Sequence, residues 1–327
     1  MPRSTSPLRY PGGKTSMVRL VSTIMQANGV DRGVYIEPYA GGGGLALALL
    51  FDGHVSAIRL NDVDPAIAAL WRCMLDRTED FIATVEAVPV TVEEWDRQRA
   101  IYQSGPECGD EMSFALATLF LNRTNRSGII KTGGMIGGRK QDGRYRIDCR
   151  FNKETIADRI RRVAKYRRQI TFTQADALDF LQEHRETPDY RSFMFIDPPY
   201  YAAGAELYTS FYTPEDHEQL AGVISAIERP WIVTYDAAPE ISRLYRWSRQ
   251  FAFDQLYSAQ TKRTGTELLI ASKGLRLPAD LRARQHFRPQ YRTPRPSLTP
   301  DSTGADRPGA TPLSVGQAKR SARCLNS

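Results

Sequence analysis

At 327 residues, 41% hydrophobic and 25% charged, the chain has the length and composition of a soluble globular protein, with one large domain carrying an insertion or with two domains. Its longest apolar run, Leu45 to Phe51, is far short of a membrane span and nothing apolar follows Met1-Pro2-Arg3-Ser4, so neither an anchor nor a secretory leader is expected and a cytoplasmic location is. The net charge of +7 is unevenly spread: Arg123 to Arg168 holds fifteen Lys/Arg against four Asp/Glu, a net of +11, and Pro278 to Ser327 a net of +6, leaving −10 on the rest. A neutral-to-acidic body with one strongly basic segment is the electrostatic footprint of a polyanion binder, although a solvated helix face and a charged tail would give the same count.

In chain order, the body alternates strand and helix. Val34–Glu37, Ala57–Asn61, Ile170–Thr173, Ser192–Asp197 and Trp231–Tyr235 are short β-branched or aromatic runs, each followed by a turn, as buried parallel strands are. A helix is expected over Pro214–Ile227, with Thr213 as cap, Pro214 in the first turn and Asp216 three residues after the cap. Phe253–Ser258 and Glu267–Ser272 flank the turn-prone Lys262-Arg263-Thr264-Gly265, which predicts an antiparallel hairpin. Between Asp76 and Lys165 the alternation stops. One apolar helix, Phe114–Leu121, precedes a Gly-, Arg- and Lys-rich region, as in an inserted, mostly helical subdomain with a basic surface. The segment from Pro278 holds 7 of the 20 prolines and few large apolar residues, so it is expected to stay disordered. The expected fold class is an α/β open sheet with a β-hairpin at one edge. The division is residues 1–75 and 166–277 as a two-part sheet domain, 76–165 as the insertion and 278–327 as a basic tail.

Two stretches carry chemistry. Tyr35-Ile-Glu-Pro-Tyr-Ala-Gly-Gly-Gly-Gly-Leu-Ala46 runs a strand through a glycine turn into an apolar helix, where backbone N–H groups can face a nucleotide. About 20 residues on, Asp62 ends the next strand, where a carboxylate can accept hydrogen bonds from ribose hydroxyls. Gly41-x-Gly43-x-x-Ala46 also fits a dinucleotide fingerprint, and a plain tight turn would use the same glycines. Gly12-Gly13-Lys14-Thr15 suggests a phosphate loop, but that motif needs glycine at position 8, which is Leu8.

The second stretch is Phe193-Met-Phe-Ile-Asp197-Pro198-Pro199-Tyr200. A hydrophobic strand delivers an acid, two prolines and an aromatic at the sheet's ligand-binding end. An exocyclic amino group such as adenine's is a poor nucleophile, because its lone pair is delocalised into the ring. The Asp197 carboxylate and the Pro198 carbonyl can accept its two N–H bonds, Pro198 and Pro199 stiffen the loop, and Tyr200 offers a face for stacking on an extruded base.

These residues resemble the Dam-type, D12-class DNA adenine methyltransferases. The likeness runs from Leu8 to Lys273. It is carried by Leu8-Arg-Tyr-Pro-Gly-Gly-Lys14, Glu37-Pro-Tyr-Ala-Gly41, Asn61-Asp62, Phe120-Leu-Asn-Arg-Thr-Asn-Arg-Ser-Gly128, Ala175-Asp176, Asp197-Pro-Pro-Tyr200 and Glu267-Leu-Leu-Ile270, in the order of the group whose recognition insertion lies between the cofactor loop and the catalytic loop. The resemblance implies a Rossmann-like S-adenosylmethionine-dependent methyltransferase sheet with an inserted DNA-recognition subdomain. It implies contacts to S-adenosylmethionine from Tyr10 (adenine or sulfonium), Lys14 (carboxylate), Glu37, Pro38, Gly41, Asp62 (ribose), Asp176 (adenine) and Asp197. The implied activity is methyl transfer to adenine N6 of a specific site in double-stranded DNA, by base flipping and direct in-line attack.

Arg123, Arg126, Lys131 and Arg144 are the candidate DNA contacts, each of which could equally be a solvated charge or a phosphate contact. GATC-reading relatives often place an aromatic and an asparagine after the Asn-Arg pair; here Arg126-Ser127 follows, so the target sequence stays open. No cysteine among Cys73, Cys108, Cys149 and Cys324 follows a proline, as a C5-cytosine nucleophile usually does, and none forms a C-x-x-C pair, so neither a disulfide framework nor a zinc site is expected. With four histidines and no H-E-x-x-H, no metal is expected. A monomer is expected, with a restriction endonuclease as a candidate partner. Transfer to cytosine N4, to RNA or to a release-factor glutamine, and a silent DNA-binding scaffold, are the alternatives.

Overall fold

Hydrophobic runs that alternate side chains to two buried faces make the centre of the sheet. In β4 below, Phe193 and Phe195 pack on one face and Met194 and Ile196 on the other, which is why the strand reads as unbroken apolar sequence. The structure is a computed structural model describing residues 5–9, 13–186, 191–201, 212–257, 263–278 and 288–289.

The strands are β1 (Val34–Glu37), β2 (Ala57–Asn61), β3 (Ile170–Thr173), β4 (Ser192–Ile196), β5 (Trp231–Asp236), β6 (Arg249–Tyr257), β7 (Arg263–Ala271) and β8 (Arg288–Pro289). They form one sheet in the order β3-β2-β1-β4-β5-β7-β6-β8. The first five are parallel, with Tyr35 beside both Ile58 and Phe193, and β7 lies antiparallel between β5 and β6. The chain moves outward from β1 through β2 to β3, then returns to the other side of β1 as β4. The direction of winding therefore reverses between β1 and β4, and the crevice at their C-terminal ends is where such sheets bind ligands. This is an α/β, Rossmann-like fold, as expected.

The helices are α1 (Val18–Ala27), α2 (Gly44–Phe51), α3 (Pro65–Asp76), α4 (Thr78–Ala87), α5 (Val92–Ser104), α6 (Glu111–Thr124), α7 (Lys153–Lys165), α8 (Ala177–Glu186), α9 (Pro214–Ser225) and α10 (Pro239–Leu244). Helix α9 has the capping box read from Thr213 and Asp216, and ends two residues before the expected Ile227. Helix α2 is apolar on every side because it is buried on every side, from Leu45 to Leu50. Among the described residues no helix is long and apolar enough to cross a membrane.

The sequence reading located one helix of the inserted, mostly helical stretch, the centre of α6; the structure has α4, α5, α6 and α7 there. Helices α3, α4 and α5 pack around α6, with α7 against α3 and α4, and the side chains Phe81, Trp95 and Ile160 join Phe114 and Phe120 in the same core as Trp71 and Phe193 of the sheet region. The hydrophobic core thus runs without a break from one face of the sheet into the insertion.

Three expectations need correction. Strand β4 stops at Ile196, so Asp197 begins the loop. The hairpin exists, but Arg263, Thr264 and Gly265 belong to β7, paired with Tyr257, Leu256 and Gln255, and not to the turn; Lys262 lies outside the described residues. Arg288 and Pro289, in the segment expected to be structureless, pair with Ala252 and Phe251 of β6; Pro suits such an edge because it has no N–H to leave unpaired.

Candidate active site

Strand β1 ends in Glu37 and passes through Pro38 into the glycine loop. Gly41 and Gly43 have φ of 47° and 58°, the left-handed region that side chains disfavour. At Gly43 a Cβ would also stand 2.7 Å from the Trp71 ring, whose Nε1 donates to the Gly41 carbonyl at 3.0 Å. Trp71 of α3 therefore fixes the loop from below, and only glycine fits over it.

Asn61 and Asp62 close the loop's other side. The Asn61 amide nitrogen donates to the Pro38 and Ala175 carbonyls at 3.1 Å each, and its oxygen accepts from the Ala175 N–H at 3.0 Å, joining the ends of β1, β2 and β3. Asp62 accepts from the Gly41 N–H at 2.7 Å and the Asp64 N–H at 3.0 Å. Burial raises its carboxyl to about 6, against the opposing pull of those two N–H groups. Asp176, exposed, accepts from the Leu178 N–H at 2.8 Å and caps the start of α8.

Asp197, Pro198, Pro199 and Tyr200 lie directly beyond β4, the two prolines and Tyr200 buried. Asp197 Oδ1 accepts from Thr234 Oγ1 of β5 at 2.5 Å and stands 3.2 Å from Lys14 Nζ. The Lys14 ammonium donates to the Tyr200 hydroxyl at 2.6 Å, and that hydroxyl donates to Glu267 Oε1 of β7, also at 2.6 Å. Lys14 Nζ is 3.6 Å from the same Glu267 oxygen, and both side chains are buried. Thus the N-terminal segment, the loop after β4 and the hairpin strand β7 converge on one charged knot. In the sequence Glu267 stands only as the first residue of the closing-strand motif. Its role as anchor for Tyr200 was not legible from the sequence, because the contact joins residues 67 positions apart.

Glu37 is the exceptional group. It is 5% exposed, and its Oε2 has no hydrogen-bond partner among the described residues. Burial, then the neighbouring Asp197 charge, pushes its carboxyl well above the usual range; Lys14 opposes and Asp62 adds to the push. The unpartnered Glu37 oxygen, beside Asp62 and Asp197, suits a ligand that can hydrogen-bond there. This has a consequence for stability. A carboxyl whose folded pKa is raised contributes stability that is fully present below its unfolded value, roughly 4.3, and is lost as pH rises toward the folded value. Glu37→Gln cannot ionise, so its melting temperature should gain on that of the native chain as pH rises from 4.5 to 8. Melting curves shifted by the same amount at every pH would disprove this.

The remaining expected site residues divide. Tyr10 lies outside the described residues. Arg126, Lys131 and Arg144 are exposed, as DNA contacts must be. Arg126 borders a groove of about 570 Å³ with Trp95, Arg99, Gln103, Met135 and Arg139, in which the Arg99 guanidinium lies 4.9 Å from the Trp95 ring centre. Arg144 lies 5.5 Å from the exposed Tyr145 ring. Arg123 is instead buried, its Nε donating to the Arg150 carbonyl at 2.7 Å.

Arg123's neighbours also act as scaffold. Asn122 accepts from the Arg9 N–H at 2.8 Å and donates to the Arg9 carbonyl at 2.9 Å. Asn125 accepts from Trp95 Nε1 at 2.7 Å and donates to the Ile129 carbonyl at 2.8 Å. A Cβ at Gly128, φ 78°, would stand 2.2 Å from the Arg9 carbonyl oxygen, so glycine is required where the N-terminal segment crosses. The Asn122–Gly128 stretch therefore clamps that segment, which leads on to Lys14.

A family model described as D12 class N6 adenine-specific DNA methyltransferase matches residues 10–264. Type II methyltransferase M.MjaIII of Methanocaldococcus jannaschii is 21% identical over 205 residues, 59% of this chain and 68% of that protein. Among solved structures, a putative RNA methyltransferase PH1948 from Pyrococcus horikoshii matches at 11% identity and TM-score 0.38, covering 81% of this chain and 84% of its own. The rRNA methyltransferase aviRa from Streptomyces viridochromogenes matches at 13% and 0.31, covering 78% and 84%. Likenesses this distant carry no argument about this chain.

Proposed function

This chain belongs to the D12 class N6 adenine-specific DNA methyltransferase family, and from that premise we propose that it transfers a methyl group from S-adenosylmethionine to adenine N6 within a specific sequence of double-stranded DNA, by base flipping and direct in-line attack. The observation that carries this reading is the pairing of Glu37 with Asp197 across the β1–β4 switch point, with Tyr200 pinned beside them.

The residues fit the donor. Asp62 and Asp197 line the crevice, and the buried Glu37 Oε2 has a hydrogen-bonding capacity that no described residue uses. When bound, S-adenosylmethionine supplies an electrophilic methyl group on a positively charged sulfur. Glu37, Pro38, Gly41, Asp62 and Asp176 would line its site, with Tyr10 expected there too. Lys14, expected at the donor's carboxylate, stands here against Asp197 and Glu267, which suits it better to holding the catalytic loop.

The amine chemistry falls to the loop after β4. Asp197, fixed by Thr234, and the Pro198 carbonyl accept the two N–H bonds of the target amine and draw its nitrogen toward tetrahedral geometry. Tyr200, held through its hydroxyl, keeps its ring in one orientation for stacking on the flipped base. Base flipping costs a few kcal/mol, which phosphate contacts from the basic insertion, residues 76–165, would offset. Residues 1–75 and 166–277 would form the transferase proper, and 278–327 a basic tail. We expect a monomer acting in the cytoplasm, with a cognate restriction endonuclease as a candidate partner.

Long-read sequencing of plasmid DNA from a methylation-free host expressing the chain tests the proposal. The expected result is N6-methyladenine at one short motif. Methylation at cytosine N4 alone, or unmodified DNA from cells holding soluble protein, would overturn it.

A further inference from the structure

Four arginines from four segments meet beside the N-terminal segment. Arg123 of α6 donates to the carbonyls of Arg150 and Pro7 at 2.7 and 3.4 Å, and Arg159 of α7 donates to the Ser6 carbonyl at 3.3 Å. Arg9 is held through its main chain by Asn122. Arg9 Nη1 is nevertheless buried without a hydrogen-bond partner among the described residues, and Arg150 is exposed. No carboxylate forms an ion pair with any of the four among the described residues, an unusual concentration of like charge for a folded protein.

We propose that this cluster binds one backbone phosphate of the DNA duplex, with Arg9 and Arg150 donating directly to its oxygens and Arg123 and Arg159 holding the N-terminal segment and adding positive field. The proposal rests on duplex DNA being the substrate.

Several observations favour a phosphate over a base. Guanidinium forks match phosphate oxygens, and a cluster of donors with no acceptor among its side-chain heads suits an anion. A base edge presents mixed donors and acceptors. Electrostatics agree: burial, followed by repulsion from Arg159, Arg9 and Arg150, pushes the Arg123 guanidinium down to about 9, and burial, then Arg150, lowers Arg9. An anion relieves both effects. Position favours the backbone near the reaction. Lys14 is five positions from Arg9, so their Cα atoms are at most about 18 Å apart, and Lys14 Nζ is 3.2 Å from Asp197.

The test uses the full chain, Arg150→Gln and Arg9→Gln, with melting temperature as the check on folding. Arg123 is spared because it holds the backbone together. Duplex affinity is measured by fluorescence anisotropy from 50 to 200 mM salt. Each variant should bind every sequence more weakly, with a salt slope shallower by about 0.9, the loss of one phosphate contact. Duplexes carrying single uncharged methylphosphonate linkages, stepped along both strands, should show one position that weakens the native chain and leaves Arg150→Gln unaffected. An unchanged slope and affinity in both variants, or a loss confined to the methylated motif, would overturn the proposal, since the latter marks a base reader. So would competition by inorganic phosphate that Arg150→Gln abolishes while duplex binding stays native, which marks a free-anion site. If the native chain methylates no duplex, the proposed function falls first and this inference falls with it.

Discussion

Asp197→Ala should cut methyl transfer by about 10²–10³-fold, a loss of roughly 3–4 kcal/mol of transition-state stabilisation, the magnitude seen when one preorganised electrostatic partner is removed from an active site. The argument is geometric. Asp197 is the first residue past β4, and its Oδ1 is fixed between Thr234 Oγ1 at 2.5 Å and Lys14 Nζ at 3.2 Å. A carboxylate fixed in this way needs no reorganisation when positive charge develops on an attacking nitrogen. Asp197→Asn keeps one acceptor and should lose less, giving the order Asp, Asn, Ala. The loss should appear in single-turnover rates at saturating DNA, and a duplex binding constant within a few-fold of native would separate chemistry from binding. An Asp197→Ala chain that binds DNA and methylates at the native rate would remove Asp197 from the mechanism.

Much of the sheet was legible because burial on both faces leaves a plain sequence mark. Val34–Ile36 and Phe193–Ile196 are apolar without a break, and the turns after them fall where the glycines and prolines fall. The cap of α9 was legible for a local reason, Thr213 and Asp216 being three residues apart. What was not legible depends on distant partners. Helix α7 spaces Ile156, Ala157, Ile160 and Val163 along one buried side, but basic residues crowd the same stretch and hide its apolar stripe. The hairpin's turn was misplaced because Arg263-Thr264-Gly265 has turn chemistry, yet its cross-strand pairing with β6 keeps it extended. Arg123 read as a surface charge, whereas it sits in a helix buried on all sides from Phe114 to Thr124, which only the packing of α3, α4 and α5 around α6 reveals. Of the candidate site, the Asp-Pro-Pro-Tyr loop and the glycine loop stood out as contiguous motifs. The knot of Lys14, Tyr200 and Glu267 joins residues 186 and 67 positions apart, and no local pattern encodes it.

That knot predicts the largest stability effect. Lys14 and Glu267 are 4% and 0% exposed, so each charge has lost its water and is held by the other and by the Tyr200 hydroxyl between them. Lys14→Met would leave the Glu267 carboxylate buried without a cation and should destabilise the fold by about 3–5 kcal/mol, the cost of removing one partner of a buried pair. Lys14→Met combined with Glu267→Gln removes the stranded charge while leaving an acceptor for Tyr200, and should recover more than half of that loss. Activity should not recover with it, since Lys14 also fixes Asp197 and Tyr200. Urea unfolding of the three chains, with methylation assays alongside, tests the prediction. If the single variant loses under about 1 kcal/mol, the range of exposed pairs, the knot is solvated and cannot set the orientation of Tyr200. If the double variant regains both stability and activity, the knot is only a structural ion pair, and Tyr200 is positioned by the prolines before it.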